Sequence, residues 1–372
     1  MKRDIFENQS FLNYISESKR IMPLAMSFDV TNNCNFRCCH CYVKHTFTSE
    51  KDMLPFELIS RLIMEMADYG VATIYLTGGE PFLRPDFLDI VELAIKYNID
   101  VHIKSNGSLI SEEDIIRMRN LEISDIQISI YGMSNKEYQM VTGSKDEHIF
   151  DKVMCNVKRM LDNGLDVKLR YIVLKQNYGG CVEFVKMCRE MGLKDTQYYH
   201  SFDIHPNSGC DMTPLNYAIS VKEQKELLHA LAKIDKEYVN KLYHFPKKYR
   251  KCNVGRNTIH VCSDGNVVPC PGFSISIGNV YRDSFIDIWE KSVKLNELRD
   301  LHEEETPCYD CKDNVYCVGN CMGVINNWNK NLSYKEKNYE LCAMKHEQIE
   351  MFKELLSEGI LYFNENGCDE CD

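Results

Sequence analysis

Two groups of cysteines in this sequence have the spacing of metal ligands. The first group has the pattern C-x3-C-x2-C and consists of Cys34, Cys38 and Cys41. The second has the pattern C-x2-C-x5-C-x3-C and consists of Cys308, Cys311, Cys317 and Cys321. Thiolates bind zinc or iron, and four of them usually complete the shell of a structural zinc ion or an iron–sulfur cluster. The first group has three, which leaves one coordination position open for chemistry.

The composition favours metal ligation over disulfide bonds. The chain has 372 residues, of which 18 are cysteine. Its first residues lack the apolar run of a secretion signal, and no segment approaches the roughly 18 uninterrupted apolar residues of a membrane span. We therefore expect a cytoplasmic protein with no membrane partner, in a compartment whose reducing conditions disfavour disulfides.

The charge balance argues against one class of partner. Lys and Arg total 44 against 55 Asp and Glu, so the formal net charge is −11. Proteins that bind nucleic acids draw their affinity from clustered cations that neutralise phosphates. We therefore expect no nucleic-acid partner. Cysteine spacing alone leaves a non-enzymatic alternative open, namely an interaction protein held together by zinc.

Between the two cysteine groups, apolar β-rich segments alternate with helical patterns about six times. The predicted strands cover residues 24–30, 72–76, 100–104, 125–130, 166–174 and 196–204. The predicted helices cover residues 55–69, 86–97, 149–163 and 179–191, and another helix follows Ser111 as its N-cap. This alternation is typical of parallel βα units. We predict an α/β fold: a partial (β/α)6 TIM-like barrel, then a small cysteine-rich domain with a β-hairpin over residues 261–269 and a C-terminal helix.

Residues with reactive or polar side chains follow these strands, where βα barrels build their active sites. The three-cysteine loop follows the first strand and Gly78-Gly79-Glu80-Pro81 follows the second. Ser105 and Asn106 follow the third, and Ser129 lies at the end of the fourth. Paired glycines permit close backbone approach, and the Glu80 carboxylate suits an ammonium group.

These residues resemble those of the radical S-adenosylmethionine (radical SAM) enzymes, over most of the chain. That family's cluster loop is C-x3-C-x2-C with an aromatic or similar residue before the last cysteine, here His40. The resemblance implies a [4Fe-4S] cluster on the three cysteines whose fourth iron binds the methionine moiety of S-adenosylmethionine. It also implies that the following residues contact this cofactor: Gly78, Gly79 and Glu80 at the amino group, Ser105, Asn106 and Ser129 at the ribose or carboxylate, and Arg170 at the carboxylate.

The C-terminal cysteines resemble the SPASM domain, which binds auxiliary clusters in peptide-modifying members of this family. The resemblance implies two auxiliary [4Fe-4S] clusters. The first would be held by Cys252, Cys270 and Cys321, and the second by Cys308, Cys311, Cys317 and Cys342. Cys262 is the candidate fourth ligand of the first cluster. The alternative for Cys262 is an inert strand thiol, which would leave that iron open to substrate.

The remaining cysteines lie outside these two sets of predicted ligands. Cys155, Cys181 and Cys188 fall on helical segments and are expected to be core thiols. Cys210 lies in a loop beyond the sixth strand and is a candidate catalytic hydrogen donor, with an ordinary loop cysteine as the alternative. We assign no role to Cys368 and Cys371.

The resemblance implies that reductive cleavage of S-adenosylmethionine gives a 5′-deoxyadenosyl radical, which abstracts a hydrogen atom from substrate. The segment from Ser129 to Gly143 resembles that of maturases of ribosomally made peptides. We therefore expect a precursor-peptide substrate that is cross-linked, epimerised or rearranged. Alternatives on the same scaffold are a maturase of a folded protein and a small-molecule dehydrogenase; Pro271 stands where sulfatase maturases carry Asp, which counts against formylglycine formation.

The implied partners are the precursor peptide and an electron donor of the flavodoxin or ferredoxin type. The leader of the peptide would be bound either by a separate protein or by strand addition to a sheet edge of this chain. The chain divides into four predicted parts: an N-terminal extension over residues 1–20, the radical SAM barrel over 21–240, the SPASM domain over 250–345, and a C-terminal helix with an acidic tail over 346–372.

Overall fold

The computed structural model describes residues 21–43, 53–207, 210–243, 254–317, 321–330 and 332–363. Six strands come first: β1 (Ala25–Asp29), β2 (Thr73–Thr77), β3 (Asp100–Ser105), β4 (Asp125–Ile130), β5 (Val167–Ile172) and β6 (Tyr198–Ser201). The helices among them are α1 (Phe56–Tyr69), α2 (Phe87–Lys96), α3 (Glu112–Leu121), α4 (Asn135–Thr142), α5 (Ile149–Asp162) and α6 (Cys181–Glu190). Across these described ranges, no helix has the length and apolar character needed to cross a membrane.

The six strands form one parallel sheet in the order β6-β5-β4-β3-β2-β1. The predicted α/β fold of six βα units is confirmed, and strand bounds differ from prediction by three residues at most. Ser111 caps α3 as predicted, because its hydroxyl accepts from the Asp114 N–H while the Asp114 carboxylate accepts from the Ser111 N–H. Helix α4 was not predicted.

One face of this sheet is apolar and the other is polar. Met26, Phe28, Ile74 and Ile103 are fully buried in the main core, together with residues of α1 and α2. The alternate positions carry polar side chains: Ser27, Tyr75, His102, Lys104, Gln127, Ser129, Lys168 and Arg170. Parallel strands covered on both faces are usually apolar throughout. The alternation therefore reserves one face of the sheet for a polar site.

A hairpin extends the sheet beyond β1. It comprises β7 (Thr258–Val261) and β8 (Asn266–Val268), and β9 (Gly278–Asn279) pairs with β8. The predicted hairpin is present, and Gly265 in its turn has a φ of +84°. Strand β7 lies parallel to β1, with Ala25 opposite Thr258. The cysteine-rich part thus continues the sheet of the barrel, which the sequence pattern did not indicate.

The remaining helices are α7 (Val221–Ile234), α8 (Lys236–Leu242), α9 (Phe285–Lys291), α10 (Val293–Asp300), α11 (Met322–Trp328) and α12 (Tyr339–Ser357). The predicted C-terminal helix corresponds to α12. It packs against α7, where Lys225 contacts Glu354 and Glu358, each at 2.8 Å. These are exposed or half-exposed pairs that orient the helix more than they stabilise it.

The structure corrects one assignment among the helical cysteines. Cys181 and Cys188 are fully buried core thiols, as predicted. Cys155 is exposed, so its assignment to the core was wrong. Helix α5 buries Ile149, Val153 and its later residues at helical spacing, and Cys155 lies off that face.

Candidate active site

The three-cysteine loop starts directly after β1 and is fixed by its backbone. The N–H of Cys41 donates to the carbonyl of Cys38 at 3.1 Å, and the N–H of Phe36 lies 3.4 Å from the Cys34 sulfur. The end of α4 also holds the loop, because the N–H groups of Arg37 and Cys39 donate to carbonyls of residues 142 and 141. Helix α4 thus positions the three thiols.

The paired glycines pack directly on the segment that leads into this loop. The N–H of Gly79 donates to the Thr31 carbonyl, and the N–H of Glu80 donates to the Asn33 carbonyl, both at 2.8 Å. A Cβ on Gly78 would lie 2.2 Å from the Thr31 oxygen, and one on Gly79 would lie 2.2 Å from the Asn33 oxygen. The predicted close approach therefore occurs, and its partner is the backbone of the cysteine loop.

Glu80 joins two loops from beneath the site. Its fully buried carboxylate accepts hydrogen bonds from the Ser105 hydroxyl at 2.8 Å and from the N–H groups of Asn106 at 2.7 Å and Phe82 at 3.2 Å. Burial raises the pKa of Glu80 to about 7, against the effect of these hydrogen bonds. Both oxygens accept hydrogen bonds from the protein, so this carboxylate joins the loops after β2 and β3, while its contact with an ammonium group stays a prediction.

A cavity of about 230 Å³ brings together the predicted cofactor residues. Its walls include Cys34, Cys38, His40, Cys41, Gly78, Gly79, Ser105, Asn106, Ser129 and Arg170. Ser129 and Arg170 lie side by side in the register of β4 and β5. The Nε atom of Arg170 and the Nδ1 atom of His40 are buried with no hydrogen-bond partner in the described structure. Such orphaned groups are expected where a polar ligand completes the site.

The electrostatics of the cavity suit a metal cluster and a zwitterionic cofactor. Burial raises the pKa of the Cys34 thiol to about 11 and that of Cys41 to about 12, and it raises the Cys38 pKa strongly as well. Thiols in such surroundings stay protonated until a metal displaces the proton. Burial, and then Arg170, lowers the pKa of His40 to about 4, so His40 is neutral at pH 7.

A second cavity, of about 170 Å³, is lined by all four cysteines predicted for the second auxiliary cluster: Cys308, Cys311, Cys317 and Cys342. Burial, followed by the neighbouring thiols, raises the pKa of Cys308 to about 12. Cys342 comes from α12, so this cavity joins two segments about thirty residues apart in the chain. The structure thus collects one predicted ligand set completely.

Part of the first auxiliary set is also brought together. The loop after Cys270 packs on the start of α11, directly after Cys321, since a Cβ on Gly323 would lie 2.7 Å from the Gly272 carbonyl oxygen. Asn327 donates to that same carbonyl at 3.1 Å. Cys252 lies outside the described residues. Across the described ranges, no three His, Cys, Asp or Glu side chains are grouped closely enough for a single metal ion.

Comparison with known families decides the identity of the fold. The sequence model of the radical SAM superfamily matches residues 28–195, and that of the SPASM iron-sulfur cluster-binding domain matches residues 252–312. The chain carries a radical SAM domain and a SPASM domain. S-adenosylmethionine and iron–sulfur clusters are therefore its cofactors, and the three-cysteine cavity has the donors to hold them.

Curated relatives of this radical SAM protein carry several activities. It is 24% identical to the subtilosin biosynthesis protein AlbA of Bacillus subtilis, over 90% of this chain and 74% of AlbA. It is 25% identical to the mycofactocin maturase MftC of Mycobacterium tuberculosis, over 81% and 78%. It is 23% identical to an AdoMet-dependent heme synthase of Methanosarcina barkeri, over 80% and 90%.

Solved structures share the fold. SuiB of Streptococcus suis, bound to its precursor peptide SuiA, superposes with a TM-score of 0.67 at 16% identity, over 89% of this chain and 78% of SuiB. The anSMEcpe structure with bound AdoMet superposes with a TM-score of 0.66 at 19% identity, over 91% and 99%. At these identities the likeness concerns the fold of the radical SAM protein.

Two predicted residues lie away from the main cavity. Cys262 is half-buried at the hairpin turn, and burial followed by Asp29 and Asp264 raises its pKa. Its place near Asp29, at the carboxyl end of β1, puts it on the radical SAM side of the SPASM hairpin. Cys210 is partly exposed and is not among the residues that line the cavity. The roles of Cys262 as a cluster ligand and of Cys210 as a hydrogen donor stay predictions.

Sequence reasoning missed several cavity residues, namely Lys104, Gln127, Tyr131, Asp203 and His205. A signal was available for two of them. Lys104 lies on β3 directly before the predicted site residue Ser105, and Gln127 precedes Ser129 by two positions on β4, where such side chains share a face. The other three lie on loops after β4 and β6, where no periodic pattern applies.

Proposed function

We propose that this radical SAM protein matures a ribosomally synthesised precursor peptide. The observation that carries the proposal is the presence of two cysteine-lined cavities in one chain. One has three cysteines beside polar groups that lack hydrogen-bond partners, and the other has four cysteines. The names of the relatives AlbA and MftC, both biosynthetic or maturation proteins, support a peptide substrate. The product is a cross-link, an epimer or a rearranged backbone.

Cys34, Cys38 and Cys41 would hold the cluster, which with S-adenosylmethionine would supply the radical chemistry for hydrogen abstraction from the peptide. The protein's own residues prepare that step. The backbone of Gly78 and Gly79 receives the methionine amino group, and Ser129 with Arg170 meets the carboxylate or ribose. Glu80 keeps the loops after β2 and β3 in register, so that both sides of the cofactor are held at once.

The C-terminal part takes part in electron transfer during the reaction. Cys308, Cys311, Cys317 and Cys342 hold an auxiliary cluster, and Cys252, Cys270 and Cys321, with Cys262 as the fourth ligand, hold another. An electron donor of the flavodoxin or ferredoxin type supplies the first electron. The precursor's leader is bound by a partner protein or by strand addition. Cys210 is kept as a candidate hydrogen donor.

The test is anaerobic incubation of the reconstituted protein with S-adenosylmethionine, a reductant and the short peptide encoded beside its gene. We expect formation of 5′-deoxyadenosine and a defined mass change of the peptide, read by mass spectrometry. Cys34→Ala, assayed in parallel, should yield neither product. Cleavage of S-adenosylmethionine with an unaltered peptide would contradict the assignment to peptide maturation, and a colourless protein containing zinc would contradict the enzyme itself.

A further inference from the structure

We propose that Lys104 binds a substrate carboxylate, so that the peptide segment in the active site carries an Asp or Glu side chain beside the reacting carbon. This inference rests on the proposed function and specifies its substrate. Neither the cofactor assignments nor the family comparisons give Lys104 a role.

Lys104 is built into the wall of the cofactor cavity by its strand. It lies on β3 two residues after His102, and so shares the polar face of the sheet with it. The register places Gln127 of β4 beside it, and both residues line the cavity. Its ammonium nitrogen lies 5.4 Å from the centre of the Tyr75 ring. The strand thus fixes the backbone of Lys104, and the ammonium group lies over an aromatic ring.

Within the described structure, the carboxylates near Lys104 are already paired with other groups. Asp125, which faces it from β4, accepts from Nδ1 of His102 at 2.8 Å and from Nζ of Lys168 at 2.6 Å. Asp203, which also lines the cavity, forms an ion pair with Nζ of Lys345 at 3.6 Å, although its Oδ1 atom has no hydrogen-bond partner in the described structure. Lys104 itself forms no ion pair among the described residues. Lys104 and Arg170 therefore both line the cavity without a counterion among the described residues.

The surrounding charges make this arrangement costly for the protein alone. The Lys104 side chain is exposed to the open cavity, but desolvation by the cavity walls, and then the nearby Arg170, lowers its pKa, and Asp125 only partly offsets both. S-adenosylmethionine brings a single carboxylate, for which Arg170 is the assigned partner. A cation left over after the cofactor is satisfied favours an anionic ligand. A carboxylate in the peptide is the group that matches it.

The first experiment uses, as substrate, the precursor peptide that the protein modifies. Each Asp and Glu of its core is replaced singly by Asn or Gln, and kcat/KM is measured with the wild-type protein and with Lys104→Met. A charge-assisted hydrogen bond corresponds to about a 10- to 100-fold change. We expect one acidic residue whose neutralisation lowers kcat/KM by that factor with the wild type and has little further effect in Lys104→Met. Lys104→Arg should retain most of the activity, and exposed Lys158→Met serves as the matched control.

The cofactor affinity must be measured for the same variants. Unchanged affinity for S-adenosylmethionine in Lys104→Met supports a substrate role. A loss of tenfold or more would place Lys104 in the cofactor site and overturn the proposal. The proposal also fails if no acidic residue of the peptide is coupled to Lys104.

A second experiment does not require turnover, so it stands apart from peptide maturation. The reconstituted protein is saturated with S-adenosylmethionine without reductant and dialysed against acetyl-Gly-Glu-Gly-amide or its Gln counterpart. We expect several-fold higher retention of the Glu peptide, lost in Lys104→Met and kept in Lys158→Met. Equal retention of the two peptides would overturn the assignment of Lys104. If the precursor is unmodified while this preference holds, the maturation proposal fails and the carboxylate site stands.

Discussion

Replacing Glu80 with glutamine tests how the loops after β2 and β3, which we propose to hold the cofactor, are joined. The Glu80 carboxylate accepts hydrogen bonds from the Ser105 hydroxyl and from the N–H groups of Phe82 and Asn106. Glutamine offers one acceptor oxygen and one amide group, so at least one of these buried donors loses its acceptor. A buried donor left without an acceptor costs about 1–3 kcal/mol, and this cost does not depend on pH.

The wild-type side chain adds a dependence on pH that glutamine removes. The folded-state pKa of Glu80 is about 7, above the ordinary value of 4.5, so the folded protein keeps a proton that the unfolded chain releases. The stabilising contribution is therefore fully present below pH 4.5 and is lost as pH rises through 7. At about 1.36 kcal/mol per pKa unit, roughly 2 to 3 kcal/mol is lost between pH 5 and 8.

Hydrogen exchange read by mass spectrometry measures this effect locally, in the metal-loaded protein. The opening free energy of a fragment covering residues 100–110 is compared between wild type and Glu80→Gln from pH 5 to 8. We expect the wild type to lose about 2 to 3 kcal/mol relative to the variant over this range. The exposed Glu190→Gln should follow the wild type. A wild type that gains stability over the variant as pH rises, or parallel curves for the two, would refute the reasoning.

Three further experiments test the cluster sites and the cofactor site. Cys34→Ala should abolish reductive cleavage of S-adenosylmethionine, whereas Cys311→Ala should retain some cleavage without modified peptide; product from the Cys34 variant would disprove its role. The wild type should contain about twelve iron atoms, and a double Cys308→Ala and Cys342→Ala variant about four fewer; equal iron in both would show that this cavity holds no cluster. Gly79→Ala should weaken S-adenosylmethionine binding at least tenfold, because its Cβ would meet the Asn33 carbonyl at 2.2 Å, while Gly179→Ala, which has open space, should bind normally.

The sequence located the repeating units well because their signals are local. Alternating strands and amphipathic helices leave periodic patterns, and the cap at Ser111 is contained within four residues. Helix α4 escaped because it is short and polar, and its importance comes from contacts with a loop about a hundred residues earlier. The placement of β7 beside β1 joins residues more than two hundred positions apart, which no local pattern encodes.

The candidate site shows the same division. The cysteine spacings and the glycine pair predicted which groups meet, since their chemistry allows few uses. The hydrogen-bond partners of the Glu80 carboxylate could not be predicted from the sequence, because Ser105 and Asn106 come from another βα unit. For Cys155, the helical spacing of Ile149, Val153 and Val157 already indicated a different buried face.

The pairing of β7 with β1 also determines what can be removed from this protein. Strand β1 carries the cysteine loop at its end, and β7 covers the side of β1 that faces away from β2. Deleting the C-terminal part would expose a row of unpaired N–H and C=O groups along β1, which is the usual template for sheet-to-sheet aggregation. The C-terminal segment is therefore a protective flank of the barrel, and the two parts should be expressed, purified and engineered as one folding unit.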